Sequence, residues 1–279
     1  MNNGRRILVG VDGSGPDWAA LDWAAAEAAS LGVDLALVHA GGCRPAPGWE
    51  PPDVRAQHSR WTREVVDAAV SRAHVCAADV AVQAWPLDGD PIAELLRLAG
   101  DADRVVLGLL HGCGAGSRLR GSAPAQIAAR AGRPVVVVRG RPGPRGPVVA
   151  GIDGTDADDA VLEQALGYAR RHRLPLRALH LCRTAIVDPS GLTDAYVPGE
   201  DATEIVETAV ARWAWAYPEV LVESAALPGP AAQRLVEVSA GAGLVVVGGG
   251  GRAGLPAVLR GSVGHALLRK SRCPVLLAR

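Results

Sequence analysis

The amino-acid sequence predicts an α/β protein built from two copies of one domain, each with a five-stranded parallel sheet flanked by helices. Short apolar runs alternate with segments of helical periodicity along the chain, and such alternation indicates parallel strands joined by helices. The segment from Ile7, ILVGVDGSGPDWAALDWAAAEA, reappears from Val148 as VVAGIDGTDADDAVLEQALGYA. At 279 residues the chain suits two domains of ordinary size.

The internal repeat continues through both halves at an offset of 140 or 141 residues. The aligned pairs include Asp12 with Asp153, His39 with His180, Gly108 with Gly248, Gly121 with Gly261, and Ser122 with Ser262. We therefore predict domains at residues 1–140 and 148–279. Residues 141–147, rich in Pro and Gly, are predicted to form the linker.

The predicted elements of the first copy follow from apolar runs, helical spacing and turn residues. Strands are expected at Arg6–Val11, Val33–His39, Val80–Ala84, Arg104–Leu109 and Val135–Val138. The first helix should bury Leu21, Ala24, Ala25, Ala28 and Leu31, and further helices are expected at Gln57–Ala77, Pro91–Leu98 and Gly121–Ala131. Copy two repeats this with strands near Val148, Leu176, Leu221, Leu244 and Val275. The stretches Gly41–Asp53, which has four prolines, and Arg183–Gly199 are predicted to be long loops that cover a ligand.

The composition argues against several classes of function. The 29 basic and 29 acidic residues cancel, so a nucleic-acid partner is not expected. No apolar run of membrane-spanning length and no signal peptide is apparent, so no membrane association is expected. The five cysteines form no CxxC pair, which argues against a disulfide framework or a zinc site and favours the reducing cytoplasm.

A glycine-rich segment follows the fourth predicted strand of copy two. It contains Gly248, Gly251, Gly261 and Ser262. Glycine lets a ligand approach the backbone closely, and the free N–H groups where the next helix begins favour an anion. A Walker loop is excluded because no GKS or GKT follows the glycines.

The spacing of this segment, Gly, two residues, Gly, nine residues, then Gly-Ser, resembles the nucleotide loop of the universal stress protein family, and the CPVLL that follows resembles that family's last strand. The resemblance covers nearly the whole chain, twice. It implies two tandem Rossmann-like (adenine nucleotide alpha hydrolase-like) domains with strand order 3-2-1-4-5. It also implies an adenine nucleotide as ligand, ATP with Mg²⁺. Pairing of the two last strands into an intramolecular pseudo-dimer is expected, and association into homodimers is compatible with the family.

In copy two, the resemblance assigns nucleotide contacts to matching positions. The predicted ATP-binding residues are Asp153, Gly248, Gly251, Gly261 and Ser262, with Ile152 and Leu179 as apolar neighbours and Arg252 as a phosphate partner. Each has a structural alternative. Asp153 suits a DG turn, the glycines and Ser262 suit a loop with a helix cap, and Arg252 suits a solvated surface.

In copy one, the corresponding residues are Asp12, Val11, Val38, Gly108, Gly121 and Ser122. His111 stands where copy two has the second glycine, so nucleotide binding by copy one is left open. His39 and His180 are expected to be packed, hydrogen-bonded residues rather than metal ligands.

The sequence predicts no catalytic residues. Ser14 and Thr155 follow DG turns and are expected to cap helices. The predicted function is that of a cytoplasmic stress-response protein, a nucleotide-responsive regulator with an unidentified protein partner. The alternatives are a nucleotide-independent interaction scaffold, a slow ATP hydrolase, and a site that prefers AMP or cyclic AMP.

Overall fold

A computed structural model describes residues 5–40, 52–108, 123–139, 146–182, 185–187, 194–196, 201–249 and 263–279. The chain divides into two compact units, residues 1–142 and 143–279, which are called domain 1 and domain 2 below.

The described residues of domain 1 form a parallel sheet of five strands with four helices. The strands are β1 (Arg6–Gly10), β2 (Asp34–Ala40), β3 (Val82–Leu87), β4 (Arg104–Leu107) and β5 (Val135–Val137). The helices are α1 (Gly15–Leu31), α2 (Pro52–Cys76), α3 (Pro91–Ala99) and α4 (Ala123–Arg130). The spatial order β3-β2-β1-β4-β5, parallel throughout, confirms the predicted order 3-2-1-4-5.

Domain 2 repeats this sheet with the strands β6 (Val148–Ile152), β7 (Leu176–Cys182), β10 (Val222–Pro228), β11 (Leu244–Gly248) and β12 (Val275–Ala278). It also has two further strands, β8 (Ala185–Val187) and β9 (Asp194–Tyr196), which form a separate pair. Its helices are α5 (Ala157–His172), α6 (Ala202–Ala211), α7 (Ala231–Val238) and α8 (Val263–Lys270). The parallel order β10-β7-β6-β11-β12 matches that of domain 1.

The centre of each sheet is buried on both faces. Ile7, Leu8 and Val9 of β1 are all 0% exposed, and successive strand residues point to opposite faces. On β1, a Cβ added at Gly10 would lie 3.2 Å from Leu95 of α3, and on β6, one at Gly151 would lie 3.3 Å from Leu235 of α7. Glycine at these positions lets a helix pack directly on the strand backbone.

Several predicted boundaries are wrong by a few residues. β3 runs over Val82–Leu87 rather than Val80–Ala84, because the amide of Val80 still donates to Ala77 O at the end of the preceding helix. β4 ends at Leu107 rather than Leu109. The strand predicted near Leu221 is confirmed, since it begins at Val222.

The predicted long loops contain regular structure. α2 begins at Pro52, inside the stretch Gly41–Asp53, since proline is well suited to the first turn of a helix. The antiparallel pair β8–β9 lies inside Arg183–Gly199. The part of the chain that the structure describes contains no helix long and apolar enough to cross a membrane.

Candidate functional site

The candidate site in each domain lies where the first and fourth strands of the sheet end side by side. Gly10 of β1 pairs in register with Leu107 of β4, so the next residues of each strand leave the sheet together. β6 and β11 pair in the same way, with Ala150 opposite Val246. The chain leaves the first strand toward α1 or α5 at the point where strand order reverses, and ligands of open α/β sheets bind outside the carboxyl ends of strands there.

An aspartate forms the turn that follows the first strand in both domains. Asp12 Oδ1 accepts a hydrogen bond of 2.7 Å from the amide of Ser14. Asp153 Oδ1 accepts from the amide of Thr155 at 3.1 Å and from Thr155 Oγ1 at 2.5 Å. Both aspartates are therefore turn residues, and a carboxylate can accept hydrogen bonds from a ligand as well as from the turn.

The glycine of each DG turn adopts a left-handed backbone conformation. Gly13 has φ +83° and Gly154 has φ +79°. Side chains with a Cβ rarely adopt this region, so the DG sequence is needed for the chain to turn here. The turn thereby holds the preceding aspartate at the carboxyl end of the first strand.

The prediction that the hydroxyl groups of Ser14 and Thr155 cap helices is wrong. Ser14 does occupy the N-cap position of α1, but its hydroxyl makes no capping bond. Thr155 Oγ1 donates to Asp153, and the N-cap position of α5 is Asp156. The amides at these turns are taken by carboxylates, which are stronger acceptors than a hydroxyl.

Two buried acids beneath the turns were missed by the sequence analysis. Asp17 of α1 is 0% exposed and accepts a hydrogen bond from the amide of Asp12 on Oδ2. Asp158 of α5 is 2% exposed and accepts from the amides of Asp153 at 3.1 Å and Gly154 at 2.9 Å. Their signal was present, because the repeat aligns Asp17 with Asp158 on helix faces that are otherwise apolar.

The pKa values of both buried acids are raised. Burial, together with the neighbouring carboxylate of Asp12, raises the pKa of Asp17 to about 8. Burial also raises the pKa of Asp158, but hydrogen bonds from the amides of Asp153 and Gly154 oppose the shift by stabilising the anion.

The glycines that follow the fourth strand differ between the domains. A Cβ on Gly108 would clash with Asp17 Oδ1 and lie 2.8 Å from Pro16 O. A Cβ on Gly248 would meet Ala157 Cβ at an ordinary 3.6 Å, and Gly248 is exposed. The adjacent Gly249, which the sequence analysis did not select, donates from its amide to Ala278 O at 2.8 Å. A Cβ there would lie 2.9 Å from the same oxygen.

The two histidines at the ends of the second strands hold the site backbone. His39 Nδ1 lies 2.9 Å from Val11 O, and His180 Nδ1 lies 2.9 Å from Ile152 O. Since a carbonyl only accepts, each ring donates from Nδ1 to the residue before the site aspartate. The prediction of hydrogen-bonded histidines is confirmed, and His39 also packs edge-on against Trp61 at 5.1 Å between ring centroids.

The predicted apolar contacts of the nucleotide are core residues in this structure. Val11, Val38, Ile152 and Leu179 are 4%, 1%, 4% and 3% exposed. The amide of Val11 donates to Val38 O at 2.9 Å, which ties the ends of the first two strands together. Contact of these side chains with a ligand stays a prediction.

The remaining predicted contacts lie outside the described residues. They are Gly251, Arg252, Gly261 and Ser262 in domain 2, and Gly121 and Ser122 in domain 1; His111, the departure from the motif, also lies outside the described residues. The described helices α4 and α8 begin directly after these segments, at Ala123 and Val263. Within the described ranges, no group of three or more His, Cys, Asp or Glu residues is arranged to hold a metal ion.

Comparison with known proteins gives a consistent result over the whole chain. The family model described as "Universal stress protein family" matches residues 4–139 and again residues 144–279. A universal stress protein of Mycobacterium tuberculosis is 34% identical over 287 residues, covering 98% of this chain and 96% of its own. A second one from the same organism is 30% identical over 289 residues, covering 100% of this chain and 97% of its own.

Among solved structures, a universal stress protein from Archaeoglobus fulgidus matches with a TM-score of 0.73 at 14% identity. The match covers 98% of this chain and 96% of that chain. At this identity the likeness concerns the fold, which is the tandem α/β arrangement described above.

Proposed function

The chain belongs to the universal stress protein family, and on this premise we propose that it is a cytoplasmic, nucleotide-responsive regulator that binds ATP with Mg²⁺ in domain 2. The same site is proposed for domain 1, subject to the effect of His111 in its loop. The partner that reads the nucleotide state is a protein of unidentified class.

The observation that carries the proposal is an arrangement at the carboxyl ends of the strands that occurs in both domains. In each domain an aspartate turn after the first strand lies beside a glycine after the fourth strand, at the point where strand order reverses. Both domains have this arrangement. A ligand that contacts both strand ends would account for its presence in each.

The residue chemistry of domain 2 fits a nucleotide. Asp153 is exposed and offers a carboxylate to ribose hydroxyls, and Gly248 leaves the backbone open to a close approach. The proposed phosphate contacts are Gly248, Gly251, Gly261, Ser262 and Arg252. Mg²⁺ would be held mainly by the phosphates, since this ion keeps much of its water and needs few protein ligands.

The proposed regulatory step is a change, on nucleotide binding, in the surface that each domain presents to a partner at the carboxyl ends of its first and fourth strands. Pairing of the last strands, β5 with β12, is proposed as the internal two-fold contact, and homodimers remain compatible with it.

Calorimetric titration of nucleotide-stripped protein with Mg-ATP tests the proposal. Gly261→Val places a branched side chain where the backbone should meet phosphate, and it should abolish the site of domain 2. Gly241→Val is the matched control, since a Cβ at Gly241 meets nothing within 4 Å. Loss of the domain 2 site in Gly261→Val and its retention in Gly241→Val support the proposal.

Other outcomes of the titration separate the alternatives. A second site that survives Gly261→Val shows that domain 1 binds despite His111. Tighter binding of AMP or cyclic AMP than of ATP would replace the ligand and keep the site. Sustained phosphate release above the Gly261→Val control would support slow hydrolysis. An absence of heat at millimolar nucleotide would leave an interaction scaffold as the function.

A further inference from the structure

The buried side chain of Asp17 joins the two halves of the candidate site in domain 1. Oδ2 accepts the amide of Asp12, which carries the aspartate turn, and Oδ1 faces Gly108, the first glycine of the opposite loop. Asp17 is 0% exposed, and Oδ1 accepts no hydrogen bond from the described residues. An oxygen in such a place is costly as an anion, because burial removes it from bulk solvent and no donor among the described residues stabilises it.

The surroundings of Asp17 favour a proton on its carboxyl group. Asp12 is the titratable group that faces it from the turn after β1, and it is also acidic. Pro16 of α1 and Gly108 after β4 present only backbone at the contact, including Pro16 O. Burial and the Asp12 carboxylate together raise the pKa of Asp17 to about 8. Near neutral pH the carboxyl group is therefore mostly protonated and uncharged.

The corresponding acid in domain 2 has different contacts. Both oxygens of Asp158 accept backbone N–H groups, from Asp153 and Gly154, which stabilise the anion. The glycine after β11 lies against the methyl group of Ala157 rather than against Asp158. A phosphate at the glycine loop of domain 2 would therefore approach an apolar neighbour, whereas in domain 1 it would approach the carboxyl group of Asp17.

We propose that Asp17 is a positioning residue of the domain 1 site and acts in its protonated form, so that nucleotide binding in domain 1 weakens as the pH rises above neutrality while binding in domain 2 does not. The inference rests on the proposed function, because it needs a phosphate near Gly108. Loss of the proton places a negative charge against Gly108, beside which the phosphates are proposed to bind, and like charges close together in a buried place repel strongly. The proton also lets Asp17 donate to Asp12 and hold its turn.

Domain 1 can be measured alone in the full chain by titrating Mg-ATP into the Gly261→Val variant at about pH 7 and about pH 9, a range above the second phosphate pKa of about 6. With a titration midpoint near pH 8, the protonated fraction falls about tenfold over this range, and the apparent affinity should fall by about the same factor. Domain 2, measured alone in Gly121→Val, should change by less than about twofold, because its acid keeps its backbone donors.

The isosteric change Asp17→Asn, made in the Gly261→Val background, is the decisive variant. An amide has the shape of the protonated acid and does not titrate, so the affinity should be the same at both pH values. A tenfold fall that persists in Asp17→Asn would overturn the role of Asp17. An affinity of domain 1 that does not change with pH before the substitution would overturn it as well.

A second readout does not depend on nucleotide. The carboxyl carbon signal of Asp17, identified by its loss in Asp17→Asn, should titrate in the carbon NMR spectrum near pH 8. A midpoint below about pH 5, close to the ordinary range for aspartate, overturns the inference. Absence of binding in domain 1 at either pH also overturns it and leaves the domain 2 proposal intact. Absence of binding in both domains is the distinct failure of the proposed function.

Discussion

Domains 1 and 2 have the same sheet topology and the same candidate site at the carboxyl ends of their strands, but they differ in the residues that are buried behind that site. At equivalent positions of the repeat, domain 1 has the buried pair Glu27 and Arg104, joined at 2.8 Å with side chains 1% and 8% exposed. Domain 2 has Tyr168, which is 2% exposed, and Leu244, which is 0% exposed. The two equivalent interior positions are therefore filled by an ion pair in domain 1 and by an aromatic and an aliphatic side chain in domain 2.

The comparison separates two kinds of constraint. The DG turn, the buried acid of the next helix and the glycine after the fourth strand are present in both domains. The interior pair is present in only one. Interior positions accept any arrangement that fills the space and satisfies its polar atoms. We infer that the residues of the candidate site meet a requirement beyond packing, and binding of the same kind of ligand in both domains is the explanation proposed above.

The largest expected effect comes from breaking the buried ion pair. Arg104→Leu leaves Glu27 as a buried anion without this partner, and we expect the free energy of unfolding of domain 1 to fall by about 3–5 kcal/mol. The double variant Glu27→Tyr, Arg104→Leu installs the residues of domain 2 and should recover most of the loss. Hydrogen exchange of the intact chain, followed domain by domain, measures both.

An exposed ion pair provides the control for this experiment. Arg177 and Glu223 lie 3.0 Å apart with side chains 49% and 59% exposed, so Arg177→Leu should cost less than about 1 kcal/mol. Equal losses for Arg104→Leu and Arg177→Leu would show that burial of the first pair is unimportant.

The glycines after the fourth strands should respond differently to one added methyl group. Gly108→Ala drives a Cβ into Asp17 Oδ1 and Pro16 O, and we expect domain 1 to lose about 1–3 kcal/mol through overpacking. Gly248→Ala only brings a Cβ to 3.6 Å from Ala157 Cβ, so domain 2 should lose less than about 0.5 kcal/mol. Denaturant unfolding of the two single variants tests the contrast, and a larger loss for Gly248→Ala would reverse it.

The buried acids should respond differently to amidation. Asp158→Asn replaces one acceptor of a backbone N–H with a donor, so domain 2 should lose about 1–2 kcal/mol at neutral pH. Asp17→Asn keeps the shape of the protonated acid and should leave the stability of domain 1 at about pH 7 within about 0.5 kcal/mol. Thermal unfolding of both variants measures the difference, and a larger loss for Asp17→Asn would contradict the assignment of the proton.

The smallest expected effect is the pH dependence of domain 1. The pKa of Asp17 is raised from 3.8 to about 8, so the folded state holds a proton that the unfolded state releases. This contribution to stability is complete below about pH 4 and declines until the pH exceeds about 8. Between about pH 7 and about pH 9 the loss of this contribution amounts to about 1.4 kcal/mol. Unfolding of Asp17→Asn over the same range should lack this slope, and a slope shared by both proteins would assign it to another group.

Much of the fold and part of the site could be predicted from the sequence. The apolar runs, the repeat and the DG turns are local patterns, and local patterns determine strands, helices and turns. Thus Leu21, Ala24, Ala25 and Ala28 are buried as expected, while Leu31 is half-buried. The strand order followed from the resemblance to the family and agrees with the structure.

The caps and loop boundaries were harder to predict because several short polar residues compete for the same amides. Asp12, Ser14 and Asp17 all lie within six residues, and the sequence does not tell which oxygen takes which N–H group. The same ambiguity affects Asp153, Thr155 and Asp158. The outcome depends on how each helix is placed against the end of its strand.

By itself, the sequence determined the two-fold repeat and the parallel α/β architecture, whereas the strand order and the position of the ligand site were predicted from the resemblance to the family. Only the tertiary structure decided that Asp17 lies against Gly108, and that Glu27 meets Arg104, which is 77 residues away along the chain. Periodicity and turn residues act through neighbours along the chain. The charge state of a buried acid and the space beside a glycine depend instead on which distant elements pack together, and packing is a property of the folded domain.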